Sequence, residues 1–379
     1  MKFNILRMSL AAVLFPVFSG CSEWTDIEVN VYDDCPLDKI DRDDAYYQAL
    51  RDYKASEHSV AFGWCSGWGE GSANISAMLS AIPDSMDIIS LWDNSRNLTP
   101  TKKADLEYVQ KVKGTKVVIC GFVHVIGQGY TPPEFNGSEQ QREAFWGWDD
   151  GDEEAIHSAI AKYANAISDS LYKSGYDGFD IDYETGGKLD QNKKYFGWFV
   201  EEMGHYFGPM SGTGRLFLID GYVNQLAPNL AQYVDYFVSQ AYSVSGGTPS
   251  PSAGTTAADK DRRLAQCVKA FSTVMTEEEV TNKFIVTENV ESAMDCLKGG
   301  FFWTDIKNRK WSKDVMPSIV GFASWEPSNG FRKGGFGGYK FNNEAVSSTP
   351  YKWFRKGIQQ QNPAPGAKII TDDDFVAAK

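Results

Sequence analysis

The chain has 379 residues, 42% hydrophobic and 14% aromatic, enough to bury one large core without a covalent staple. A formal charge of −13 argues against nucleic acid and against electrostatic docking on anionic lipid. Four scattered histidines, six cysteines without a C-x-x-C, and the lack of a GxGxxG or P-loop leave no metal site and no cofactor to expect.

The N-terminus reads as an export signal over residues 1–20. Lys2 and Arg7 supply the positive end, Met8 to Phe18 the apolar stretch, and Ser19 and Gly20 precede Cys21. The small-small-Cys ending is similar to the bacterial lipobox, in which the cysteine is lipidated and becomes the mature first residue. An exported lipoprotein of the outer membrane or cell surface follows, touching the membrane only through its lipid. Residues 21–40 read as an acidic tether. After Cys21 the cysteines are Cys35, Cys65, Cys120, Cys267 and Cys296, an odd number, so at least one thiol is unpaired and any disulfide stays unassigned.

Eight apolar, β-rich runs follow. They are Val60–Cys65, Asp87–Trp92, Lys116–Val123, Gly178–Tyr183, Arg215–Asp220, Tyr236–Tyr242, Phe284–Thr287 and Ile319–Trp325. Helical periodicity lies between or beside them at Asp43–Ser56, Lys102–Val112, Glu154–Ser174, Tyr195–Phe207, Ala257–Thr276 and Tyr351–Gln360. Strands alternating with helices imply parallel pairing, and eight such repeats predict a single α/β domain, a (β/α)8 TIM barrel over residues 41–361. A doubly wound open sheet is the competitor. Residues 362–379 form a tail with no predicted role. In a barrel the functional residues sit where strands run into the following loops. Those loops are long and carry Trp68, Tyr130, Trp146, Trp148 and Tyr339; Trp68 and Trp146 are candidates for lining a cleft.

The fourth strand ends Asp180-Ile181-Asp182-Tyr183-Glu184. Strand side chains alternate, so Asp180, Asp182 and Glu184 share one face while Phe179 and Ile181 share the other. With the apolar face packed on helices, the three acids line the barrel interior toward its C-terminal mouth. Like charges so close in a desolvated place must share protons, which keeps a carboxylic acid available near neutral pH. A calcium site needs loop spacing rather than strict strand alternation. Asp177 has the other parity and reads as structural.

The run Asp177-Gly178-Phe179-Asp180-Ile181-Asp182-Tyr183-Glu184 resembles the D-x-x-D-x-D-x-E motif of glycoside hydrolase family 18, complete and on the expected strand. Ser239-Gln240-Ala241-Tyr242 resembles the strand-six segment whose tyrosine contacts the reacting N-acetyl group. Trp325, ending the eighth run, resembles the tryptophan that floors the sugar subsite. The resemblance implies a substrate-assisted, retaining mechanism. In it Glu184 acts as acid and base, Asp182 holds the acetamido N–H, Asp180 shares a proton with Asp182, Tyr242 orients the acetamido oxygen, and Gln240 reaches the site.

Family chitinases commonly continue the motif as Trp-Glu-Tyr-Pro, whereas this chain has Tyr183-Glu184-Thr185-Gly186. About 30 residues are expected between strands seven and eight, too few for an inserted subdomain. With the lipoprotein start, the whole resembles the N-glycan endoglycosidases of Bacteroides-like bacteria. The expected partner is thus a glycoprotein N-glycan or another GlcNAc-containing oligosaccharide, with chitin hydrolysis and non-catalytic glycan binding as alternatives. A monomer is the default. For the leader, Cys21→Ser is expected to abolish incorporation of labelled fatty acid and move the protein to the soluble fraction; a variant still membrane-bound and labelled would refute the lipidation.

Overall fold

The computed structural model describes residues 42–70, 77–92, 96–245, 248–249, 256–303 and 316–363. Cys21, the leader, Cys35, the tether and residues 364–379 lie outside the described residues. Eight parallel strands close on themselves: β1 Val60–Cys65, β2 Ile88–Leu91, β3 Lys116–Gly121, β4 Gly178–Tyr183, β5 Leu216–Gly221, β6 Tyr236–Gln240, β7 Phe284–Asn289 and β8 Gly335–Tyr339. The order around the barrel follows the chain, with β8 pairing β1. This is the expected (β/α)8 barrel; the doubly wound sheet would have left two open edges.

Helices outside the barrel include α1 Asp44–Ala55, α2 Pro100–Lys111, α3 Glu139–Trp146, α4 Glu153–Ser174, α5 Lys193–Met203, α6 Ala257–Phe271, α7 Glu277–Lys283, α8 Ala293–Lys298, α9 Ser318–Ser324 and α10 Lys352–Gln361. The longest, α4, is fixed at both ends. Asp152 Oδ1 accepts from the Glu154 and Ala155 amides, and Gly175, at φ 84°, terminates the helix. The chain then turns directly into β4. Asp177 is structural, as its parity implied: its Oδ2 accepts from Val117 N and Gln110 Nε2 and ties the start of β4 to β3 and α2.

Strand alternation separates two cores. Phe179, Ile181 and Tyr183 face outward into the large helix-packed core, where Tyr183 stacks on Phe196 of α5 with ring centroids 4.1 Å apart. Phe62, Trp64, Ile88, Val118, Cys120, Leu218, Val238 and Ile285 fill the barrel interior.

One predicted strand is wrong. Ser318–Ser324, which overlaps all but the last residue of the run read as strand eight, is helix α9, with six of its seven residues buried. A short segment apolar on every side gives no periodicity to separate helix from strand. The eighth strand is instead Gly335-Phe336-Gly337-Gly338-Tyr339, a sequence that looks like a loop because three of its five residues are glycine. The connection from strand seven therefore spans 290–334 and is longer than expected. The glycines make room for large neighbours: a Cβ on Gly337 would sit 2.4 Å from the Phe62 carbonyl oxygen and 2.9 Å from its ring. Gly337→Val should destabilise the fold by about 1–3 kcal/mol through overpacking, read as a lower urea midpoint at unchanged slope; an unchanged midpoint would show that the β8–β1 seam can relax.

Candidate active site

The polar residues of the interior gather at one end of the barrel. Asp180 and Asp182 of β4 are 0% and 3% exposed, while Glu184, just beyond the strand, is exposed. Strand register sets Asp182 beside Asp220 of β5 and Asp180 beside Cys120 of β3. Asp180 Oδ2 accepts from Trp64 Nε1 at 3.0 Å and Ser90 Oγ at 2.7 Å. Its other oxygen has no such donor and faces the Asp220 carboxyl, so a shared proton is what satisfies the pair. Gln240, ending β6, spends its amide on both neighbours, donating to Asp220 Oδ1 at 2.6 Å and Asp182 Oδ1 at 3.2 Å.

Burial dominates the electrostatics. It raises Asp180 to about 6; it also raises Asp182, helped by the nearby Glu184 charge, to about 7; and it holds Asp220 well above the usual aspartate range. The same burial, with the three aspartates around it, keeps the Cys120 thiol protonated. Cys120, Asp180 and Asp220 bring potential ligand atoms within 4.8 Å of one another. Of these, one oxygen of Asp180 already accepts the two hydrogen bonds from Trp64 and Ser90, which occupy lone pairs that a cation would need.

Tyr242 follows β6 and is half-buried, its ring stacked against Tyr339 with centroids 6.2 Å apart. Tyr339, ending β8, also meets the edges of Trp64 at 6.2 Å and Trp92 at 6.3 Å. These rings form an aromatic wall at the mouth. On the opposite side, Thr185 takes a left-handed φ of 55° directly after Glu184, a region uncommon for a non-glycine residue. That turn is held by Asp190, which accepts from the Gly186 and Gly187 amides and bonds His124 Nδ1 at 2.7 Å.

The structure thus brings together Asp180, Asp182, Glu184, Gln240 and Tyr242. It does not bring in three tryptophans. Trp68 is 3% exposed, and its indole N–H bonds Asp105 of α2. Trp146 is buried against Tyr163, with its N–H on Thr131. Trp325 follows α9, not a strand, and bonds Asp261 through its N–H. Its ring meets Phe284, the first residue of β7, and its carbonyl accepts from Lys333, whose own carbonyl accepts from Ser59 just before β1. These contacts place Trp325 at the N-terminal end of the barrel, opposite the acids. The residues that sequence reasoning missed are Trp64, Ser90, Trp92, Cys120, His124, Asp190 and Asp220, with Tyr339 read as a loop residue. Asp220 was within reach, being a lone acid closing an apolar strand at the catalytic level of the barrel.

A family model described as glycoside hydrolase family 18, BT1044-like, matches residues 25–360. Endo-β-N-acetylglucosaminidase F2 of Elizabethkingia meningoseptica is 25% identical over 309 residues, covering 77% of this chain and 76% of its own. Endo-β-N-acetylglucosaminidase EndoS of Streptococcus pyogenes serotype M1 is 26% identical over 239 residues. That match takes in 54% of this chain but only 23% of the relative, so the chain corresponds to about a quarter of that protein. Among solved structures, a Glu-to-Gln variant of BT1044 superposes with a TM-score of 0.70 at 25% identity, covering 86% of this chain and 94% of that one.

The acid cluster makes a pH prediction whose sign is fixed. Unfolded aspartates ionise near 3.8, whereas Asp180 and Asp182 keep protons to about 6 and 7 when folded. The native state binds more protons across that window, so the cluster's contribution to stability is full at the acid end and is lost as pH rises toward 7. Asp182→Asn removes one of these groups and should make that fall shallower in urea titrations from about pH 4 to 8; an unchanged slope would mean that Asp182 is not raised.

Proposed function

The chain belongs to glycoside hydrolase family 18, and we propose that this glycoside hydrolase is an endo-β-N-acetylglucosaminidase splitting the GlcNAc-β1,4-GlcNAc bond in the core of N-glycans. The observation that carries the proposal is the column Asp180–Asp182–Glu184, open at Glu184, with Asp220 and Gln240 bound to its buried part and Tyr242 close to Asp182 and Asp220. The two relatives from Streptococcus pyogenes and Elizabethkingia meningoseptica are endo-β-N-acetylglucosaminidases, which supports internal cleavage beside N-acetylglucosamine.

In this reading protonated Glu184 donates to the glycosidic oxygen as the C1–O bond breaks, and that oxygen keeps the bonding pair. The substrate's 2-acetamido oxygen attacks C1 and closes an oxazolinium ring. Asp182 accepts the acetamido N–H and stabilises the developing cation, while Tyr242 donates its hydroxyl to the acetamido oxygen. Glu184, now a base, takes a proton from water. The water oxygen bonds C1, the ring opens, and the configuration is retained. Asp220 and Asp180 act from behind: a proton held between them limits the negative charge beneath Asp182, so that charge can be placed on Asp182 facing the substrate. Tyr339 and Trp92 supply the aromatic faces on which a sugar ring stacks. The leader and Cys21 would put this activity at the cell surface.

The test is mass spectrometry of high-mannose and complex-type glycoproteins and of chitin oligomers, incubated with wild type and with Glu184→Gln. The expected result is release of glycan leaving one GlcNAc on asparagine, with the rate lowered at least about 100-fold by the substitution. Cleavage of chitin oligomers alone would transfer the activity to chitin. Glycan binding without any cleavage would contradict hydrolysis altogether.

A further inference from the structure

Both peptide neighbours of Tyr242 are gripped by buried charges that play no part in the chemistry above. Ser243 N donates to Glu288 Oε1 at 2.8 Å, and Ser243 Oγ donates to Glu288 Oε2. On the other side, Lys260 Nζ lies 3.4 Å from the Ala241 carbonyl oxygen. One turn further along α6, Arg263 reaches the Gln240 carbonyl at 3.4 Å. Every residue from Gln240 to Ser243 except Tyr242 itself is therefore held by an ionisable side chain.

Glu288 and Lys260 are both 0% exposed. Glu288 also accepts from the Asn289 amide at 2.8 Å and from the Ser318 hydroxyl, so donors surround both of its oxygens. Lys260 sits 3.7 Å from the Phe322 ring centroid and 3.3 Å from Asp259 Oδ2, and it feels the Glu288 charge. Gly300, at φ 91°, makes the space: a Cβ there would come within 2.4 Å of Ser318 Oγ and 3.1 Å of Glu288 Cγ. Desolvating two charges seldom gains stability over well-packed apolar residues, so their value lies in fixing a geometry. The geometry they fix is that of the strand end carrying Tyr242, just before the chain leaves the barrel for its sixth loop.

We propose that Glu288, with Lys260 opposite it, is a positioning residue that sets Tyr242 for the acetamido oxygen. This rests on the role given to Tyr242 above, and the test separates the two. Steady-state kcat and KM are measured on a fluorescently labelled N-glycopeptide for Tyr242→Phe, Glu288→Gln, the double variant and Ser243→Ala, with thermal melting alongside. Tyr242→Phe should lower kcat about 100-fold. Glu288→Gln should lower it about tenfold with KM changed less than about twofold, and the double variant should be no slower than Tyr242→Phe alone. Ser243→Ala deletes one hydroxyl contact, should lose about threefold, and reads the same coupling if Glu288→Gln does not fold. Losses that multiply in the double variant, or wild-type kcat in both Glu288→Gln and Ser243→Ala, would overturn the proposal and leave the tyrosine's role intact. Wild-type kcat in Tyr242→Phe would remove the tyrosine's role and this inference with it.

Discussion

Three aspartates, Asp180, Asp182 and Asp220, are buried side by side in the interior of one barrel, and they cannot all be charged. The desolvation of each carboxylate and the repulsion among them raise their proton affinity until protons are shared. The rest of the site follows from this. Trp64 and Ser90 donate to Asp180, Gln240 bridges Asp182 and Asp220, and the Cys120 thiol stays neutral beside them. Asp182 lies at the boundary between this protonated interior and the open mouth where Glu184 stands. A carboxyl so placed can take up or give up charge as the neighbouring acid delivers its proton.

The barrel supplies what this constraint needs. A closed sheet places inward residues from neighbouring strands at the same level, so acids on β4 and β5 and an amide on β6 meet without help from any loop. The interior below them is apolar, filled by residues such as Phe62, Val118 and Leu218, which withholds water from the column's buried end. The glycine strand β8 accommodates those large side chains and delivers Tyr339 to the mouth. The tight turn after Glu184 and the buried charges flanking Tyr242 then fix two groups that lie beyond the ends of their strands.

The barrel was legible in the sequence because β1 to β7 are conventional strands, apolar and bounded by breakers. Strand eight was not, because its glycines answer to Phe62 and Val60 on the adjacent strand β1, and a single sequence does not show its pairing partners. The column on β4 was legible since alternation alone puts Asp180, Asp182 and Glu184 on one face. Gln240 and Tyr242 were found through a resemblance, and their parity agreed with it. Trp68 and Trp146 failed for one physical reason: an indole whose N–H finds a partner, as Trp68 does in Asp105 and Trp146 in Thr131, is as content in a core as in a cleft; Trp325 failed with the misread eighth strand. His124 and Glu288 were hidden because their importance lies in contacts between distant strands and loops.

The most direct test of chemistry at this column varies the substrate rather than the protein. Glycopeptides whose reacting GlcNAc carries an acetyl, fluoroacetyl, difluoroacetyl or trifluoroacetyl group weaken the acyl oxygen as a nucleophile in steps while scarcely changing its size. If the acetamido oxygen attacks C1 with Asp182 behind it, kcat falls steeply along the series. A kcat that stays level along the series would contradict participation by the substrate and require a protein nucleophile instead.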